Sequence, residues 1–202
     1  MKVIDCIQGT DEWFEARLGK VSASNFSSVL AGGAGKTRNA YMRKLVAEVL
    51  TGLPQATYSN EAMLRGIETE AEAREYYATL NNCEVVQVGF CELNENVGCS
   101  PDGLVGDDGL LEIKCPDTTT HIETILKDKM QTTYIPQVQG QIWVTGRKWC
   151  DYVSYDPRMK VKKFFCKRIE RDEKYIEDLE KAVNVFVDQL KDMINQFTNS
   201  PF

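Results

Sequence analysis

Three side chains in the middle of this sequence could do chemistry together. Asp102 lies in Ser100-Pro101-Asp102-Gly103, and ten residues later Leu111-Glu112-Ile113-Lys114-Cys115-Pro116 carries an acid and an amine two positions apart. Side chains alternate across a strand, so Glu112 and Lys114 share one face while Leu111 and Ile113 turn the other way into packing. A turn at Gly106-Asp107-Asp108-Gly109 would fold Leu104-Val105 back against Leu110 to Lys114 as a hairpin, bringing Asp102 towards Glu112. Two carboxylates that close repel unless a proton or a cation sits between them. Mg²⁺ or Mn²⁺ takes such hard oxygens, with waters completing its shell. A lysine beside it can orient a water and help deprotonate it for in-line attack on a phosphodiester. Glu-x-Lys alone is more often a surface ion pair worth tenths of a kcal/mol. Asp102, the apolar Leu111 and Ile113 and a further acid at Glu70 turn the reading towards a nuclease.

Other chemistries are less well provided for. Gly35-Lys36-Thr37 suggests a phosphate-binding loop, but that motif needs a glycine five residues before Gly35, and position 30 is Leu. A surface loop offering Lys36 and Arg38 to a phosphate backbone is the expectation there. His121 is the single histidine, so sites built on two imidazoles are excluded, and no nucleophile-elbow pattern accompanies any serine. It reads as a surface or helix-start residue. The seven cysteines are odd in number and never spaced as metal ligands, which suggests structural thiols in a reducing cytoplasm. Against 24 Lys and Arg stand 30 Asp and Glu, a net charge of −6, so the chain is no indiscriminate basic coat for nucleic acid.

The elements that must hold these residues are legible from periodicity. A length of 202 residues, 43% hydrophobic and 27% charged, suits one domain spanning 1–202. No apolar run approaches a membrane span, and Met1-Lys2-Val3-Ile4-Asp5 reaches an acid before any signal-peptide core. Short helices are expected over 13–50, with Ser24 capping a turn through Phe26, Val29 and Leu30. A stronger helix over 60–80 puts Met63, Ile67 and Tyr77 on one stripe with Glu70 and Arg74. Strands follow over 84–93 and in the hairpin, helices over 119–131 and 134–145, and strands over 148–155 and 161–169. Last comes a long helix capped by Asp172, its stripe running from Ile176 to Ile194 and Phe197. Helices before, within and after a central mixed sheet give an α/β or α+β sandwich.

With those residues in view, Pro101-Asp102…Glu112-x-Lys114 resembles the PD-(D/E)xK nuclease signature. Its surroundings resemble one branch, the phage-type lambda exonuclease or YqaJ-like viral recombinase family. The likeness runs through Trp13-x3-Arg17-Leu18-Gly19, Ser22-Ala23-Ser24, Gly66-x3-Glu70-x2-Ala73, Cys99 to Gly103, Leu111 to Pro116, Gln137-Val138-Gln139 and Tyr155-Asp156-Pro157-Arg158-Met159. The resemblance implies a restriction-endonuclease-like fold and a Mg²⁺-dependent 5′→3′ exonuclease on double-stranded DNA. Such an enzyme releases 5′-mononucleotides and leaves 3′ single strand for recombination.

Carried over by position, Asp102 and Glu112 would bind the ions, two per site with Mn²⁺ able to substitute, and the Ile113 carbonyl would add a ligand. Lys114 would activate the water, Glu70 would support the second ion or its waters, and Gln137 would hold Lys114 or the nucleophile. Arg17, Ser24 and Ser100 match positions that receive the 5′-terminal phosphate. The chain departs from the pattern at Thr120, where lambda exonuclease has an arginine six residues after its catalytic lysine. The resemblance further implies a homotrimeric ring around DNA, a phage-type single-strand annealing protein as partner, and a phage or prophage origin in a bacterial cytoplasm. Arg158, Lys160, Lys162, Lys163, Lys167, Arg168, Arg171 and Lys174 could line a channel or simply face solvent. Two other readings stay open: a site- or structure-specific endonuclease on the same core, and a DNA-end-binding recombination factor without catalysis.

Overall fold

Gly106 turns the central hairpin at a φ of +52°, a left-handed conformation that suits a residue without a Cβ. The computed structural model describes residues 1–31, 35–55 and 61–199, and for 61–68 the backbone alone. On either side of the turn lie β6 (Gly103–Val105) and β7 (Gly109–Lys114), paired antiparallel. Among the described residues the larger sheet has the order β3-β6-β7-β8-β9, with β3 at Val85–Val86, β8 at Trp149–Tyr155 and β9 at Phe164–Glu170. β7 and β8 run parallel, so the chain must cross over between them. That crossover carries α5 (Thr118–Lys127) and α6 (Ile135–Thr145). The other pairings are antiparallel, and the sheet is mixed as expected.

A smaller sheet, ordered β1-β4-β5-β2, joins Lys2–Ile4, Phe90–Asn94, Val97–Cys99 and Val21–Ser22. Three of these strands are two or three residues long, too short for alternation to reveal. The strand expected over 84–93 is divided, its first half joining the larger sheet as β3 and its second the smaller as β4. β9 starts at Phe164 because Lys162 sits at a φ of +52°.

Packing covers both faces of the larger sheet. Helix α4 (Glu61–Asn81) lays Ala73 and Tyr77 against Leu111, Ile113, Val153 and Tyr155. On the opposite side Leu110 and Tyr152 join Ile142 of α6 and Leu179, Val183 and Phe186 of α7 (Glu173–Thr198). Strand alternation therefore buries Leu111 and Ile113 under α4 and points Glu112 towards α6. Asp172 caps α7 by accepting from the Tyr175 N–H. The apolar stripe of α7 packs on the core from Ile176 through Leu190 to the half-buried Ile194, and Phe197 is exposed. The Met63 and Ile67 side chains lie outside the described residues, as do positions 32–34 of the glycine-rich loop.

Several local expectations change. Ser24 does not cap a helix: it lies in a 3-10 turn over Ala23–Asn25, and Asn25 precedes α2 (Phe26–Leu30). His121 does stand at the start of α5, but it is fully buried and not at the surface, its Nδ1 2.7 Å from Ser154 Oγ and its Nε2 2.9 Å from the Lys162 carbonyl. Every cysteine is free, and Cys166 is exposed rather than structural. Arg38, on α3 (Lys36–Thr51), lies over the Phe186 ring and donates to Gln189, so it is spent on packing against α7.

Candidate active site

The hairpin brings Asp102 and Glu112 together. The Asp102 N–H donates to the Leu111 carbonyl at 3.1 Å, and Asp102 Oδ2 accepts from the Ile113 N–H at 2.6 Å. Glu112, 1% exposed, holds Oε1 2.5 Å from Lys114 Nζ. From α6, Gln137 Nε2 donates to the same Oε1 at 2.5 Å and Gln141 Nε2 donates to Oε2 at 2.6 Å. Gln137 thus meets Glu112 at the oxygen that Lys114 also contacts, beside the lysine it was expected to hold. Pro136 opens α6 in its first turn, and Gly140 seats the helix against Phe26. A Cβ at Gly140 would stand 2.3 Å from Phe26 Cδ2.

Glu70 enters from α4, where Arg74 Nη2 lies 2.5 Å from its Oε1. Arg74 Nε also donates to the Asp102 carbonyl at 2.9 Å, tying the helix to the hairpin. Withdrawal from water pushes the Asp102 carboxyl well above its ordinary range, and the charges of Glu112 and Glu70 push it further. Burial raises Glu70 too, with Arg74 opposing and Glu112 adding. Burial disfavours the Lys114 ammonium, but Glu112 and Asp102 outweigh it and hold the proton more tightly than usual.

Among the described residues no three His, Cys, Asp or Glu side chains are grouped closely enough to hold a metal by themselves. Donor chemistry nevertheless suits the site to a hard cation. Burial, and after it the charge of Glu112, raise the proton affinity of both Asp102 and Glu70, the response of a site short of positive charge. Magnesium is usually held by one or two carboxylates, with water and substrate phosphate filling the remaining positions. Asp102, Glu112 and the Ile113 carbonyl match that requirement, with Glu70 beside them.

The residues expected to meet a terminal phosphate assemble beside this centre. Arg17 ends α1 (Asp11–Arg17), and its Nη2 donates to Ser22 Oγ at 3.2 Å and Ser24 Oγ at 3.4 Å. Its guanidinium lies 4.0 Å over the Trp13 ring, and the Trp13 indole N–H donates to Ser100 Oγ at 2.9 Å. Ser100 is thus joined to Arg17 through Trp13. Thr120 lies elsewhere, in the first turn of α5, where its N–H donates to the capping Asp117. Trp13, Arg17, Ser22, Asn25, Glu70 and Arg74 all line one cleft of about 760 Å³.

Sequence reasoning assigned no role to Trp13, Ser22, Arg74 or Gln141. Trp13, Arg74 and Gln141 stand four positions from Arg17, Glu70 and Gln137, the helical spacing that puts partners on one face. The basic run is largely paired: Arg158 with Asp156, Lys167 with Asp128, Arg168 with Asp151, Arg171 with Glu173 and Lys174 with Asp178. Lys163 lies over the Tyr76 and Tyr155 rings.

The family model of the YqaJ-like viral recombinase domain matches residues 12–148, a span that holds every one of these site residues. The chain belongs to the YqaJ-like viral recombinase family. Its fold is close to that of an alkaline exonuclease, LHK-Exo, from Laribacter hongkongensis: TM-score 0.89 and 44% identity over 94% of this chain and 97% of that one. The same relative in complex with dAMP aligns with TM-score 0.89 and 46% identity over the same shares. A phage-related exonuclease from Haemophilus somnus 129PT shares the fold, with TM-score 0.71 at 17% identity over 88% of this chain and 96% of that one. The ExoD protein of Escherichia coli (strain K12) is 31% identical over 67 residues, 33% of this YqaJ-family chain and 77% of that protein. Among the described residues no helix is long and apolar enough to cross a membrane.

Proposed function

We propose that this YqaJ-family chain is a nuclease, and specifically a Mg²⁺-dependent exonuclease that degrades double-stranded DNA from its 5′ ends. It would release 5′-mononucleotides and leave 3′ single strand for recombination. The observation that carries the reading is the shared cleft, lined by Arg17 and Ser22 as well as by Glu70 and Arg74. A terminal phosphate bears more charge than an internal linkage. A guanidinium beside two hydroxyls can therefore select an end, while the acids beyond it address the next phosphodiester. LHK-Exo, similar over nearly the whole chain, carries exonuclease in its name, which agrees.

In this scheme Asp102, Glu112 and the Ile113 carbonyl would hold one ion, with Glu70 supporting a second, and Mn²⁺ would substitute. The metal supplies a Lewis acid that polarises the scissile phosphate and acidifies water. Gln137 keeps Glu112 in place. Lys114, holding its proton tightly, contributes charge and a hydrogen bond that orients the attacking water, and serves as base only after giving up that proton. Attack on phosphorus expels the 3′ oxygen of the terminal nucleotide and leaves a fresh 5′-phosphate for Arg17. A homotrimeric ring, a single-strand annealing partner and action in a bacterial cytoplasm complete the proposal.

The test compares end-labelled linear duplex with closed circular duplex, in Mg²⁺ and in EDTA. Mononucleotides from the 5′ end of the linear form alone, and only with Mg²⁺, are the expected result. Cutting of the closed circle would point to an endonuclease, and end binding without hydrolysis to a non-catalytic recombination factor.

A further inference from the structure

We propose that Gln141 is the positioning residue that sets the plane of the Glu112 carboxylate for the divalent cation, an inference that rests on the metal-dependent reading above. Gln137 and Lys114 both converge on Glu112 Oε1. Gln141 supplies the contact to Oε2, at 2.6 Å. The last torsion of a glutamate is broad, and holding a single oxygen leaves the carboxylate free to rotate about it. Holding both oxygens removes that freedom before a cation arrives. Outer partners of metal ligands act in this way, orienting the ligand and tuning its affinity.

The burial of Gln141 sets it apart from the other two donors. It is 1% exposed, whereas Gln137 and Lys114 are half-buried and can trade their contacts with water. Its Oε1 is, among the described residues, the buried side-chain polar atom with no hydrogen-bond partner. An unpaired acceptor in the interior is costly, and an apolar side chain of the same length would not incur that cost. Packing alone therefore gives no reason for an amide at this position, and the bond to Oε2 does. Gly140 lets α6 seat closely on Phe26, and Gln137 and Gln141, one turn apart, both reach β7.

The experiment uses the full chain with Gln141→Met, which keeps length and loses the donor, and Gln141→Asn, which keeps the amide and loses the reach. Mn²⁺ binding is measured by calorimetry without DNA, beside thermal melting in EDTA and nuclease rate against Mg²⁺ concentration. The expected result is a Mn²⁺ dissociation constant raised about ten- to a hundredfold in both folded variants. Activity should return towards wild type at high Mg²⁺, with KM for DNA unchanged. Wild-type Mn²⁺ affinity in either folded variant overturns the proposal. Failure of both to fold overturns it too, by assigning Gln141 to the core. If the wild-type chain binds no Mn²⁺, the metal-dependent reading itself fails.

Discussion

Replacing Arg17 by Ala separates end recognition from hydrolysis. In the folded chain its guanidinium rests on Trp13 and donates to Ser22 and Ser24, while Asp102, Glu112 and Lys114 are held by β7, α4 and α6. The substitution therefore empties the phosphate receptor and leaves the acids assembled. One charge-assisted hydrogen bond is worth about 1.5–3 kcal/mol when lost. At 1.36 kcal/mol per decade, that is a rate loss of roughly 10- to 160-fold on 5′-phosphorylated ends. A 5′-hydroxyl end has no such phosphate to lose, so the two rates should converge in the variant. Arg17→Lys, which keeps the charge but not the fork, should fall between. The assay is mononucleotide release from end-labelled linear duplex of both kinds, with melting temperature recorded for each variant. An unchanged rate ratio in a folded Arg17→Ala chain would refute the phosphate-receptor role and leave Arg17 as packing for Trp13.

Other consequences are as direct. Asp102→Ala or Glu112→Ala should reduce hydrolysis more than about a hundredfold while duplex binding, followed by fluorescence anisotropy, persists, because neither change touches a phosphate contact. Gly140→Ala should destabilise the fold by about 1–3 kcal/mol in urea, since its Cβ would meet the buried Phe26 ring at 2.3 Å; a neutral effect would mean that α6 can shift freely. Burial raises the Asp156 carboxyl, but hydrogen bonds from Arg158 and Thr118 outweigh it and hold it at about 2 against an ordinary 3.8. A depressed carboxyl stabilises fully above its unfolded value and loses that contribution as pH falls towards its folded one. Asp156→Asn should therefore cost about 1–2 kcal/mol at pH 7 after screening at the half-exposed Arg158, and less as pH drops from 4 towards 2. An equal cost at both ends of that range would contradict the assignment. Light scattering at micromolar concentration should give about three times 22.9 kDa, and a monomer would remove the proposed ring.

Much of the site was legible because its spacing is local. Glu112 and Lys114 share a strand face by alternation, Asp102 is delivered by a hairpin whose turn chemistry is explicit, and Glu70 lies on a helix stripe. The strong periodicity of α7 and the two helices between the hairpin and β8 follow from the same local rules, whereas the parallel pairing of β7 with β8 does not. Residue motifs marked the family, and the match over 12–148 agrees.

What tertiary structure decided is everything that depends on two distant elements meeting. That Gln141 reaches Glu112 depends on how far α6 descends onto β7, which Gly140 and Phe26 set across 114 residues of chain. Ser100 joins Arg17 through Trp13 because β5 pairs with β2, a parallel contact between strands of three and two residues that carry no periodic signal. In the basic run Lys167 and Arg168 are paired because Asp128 and Asp151 lie at the end of α5 and on the neighbouring β8, whereas the partners of Arg158, Arg171 and Lys174 stand within four residues. His121 is buried since α5 lays it on Ser154 of β8, and helix position alone cannot say which neighbour a helix will meet. Local pattern is set by backbone geometry repeated every two or 3.6 residues, so sequence reports it. Long-range contact is set by how surfaces close on one another, which no short window of residues contains.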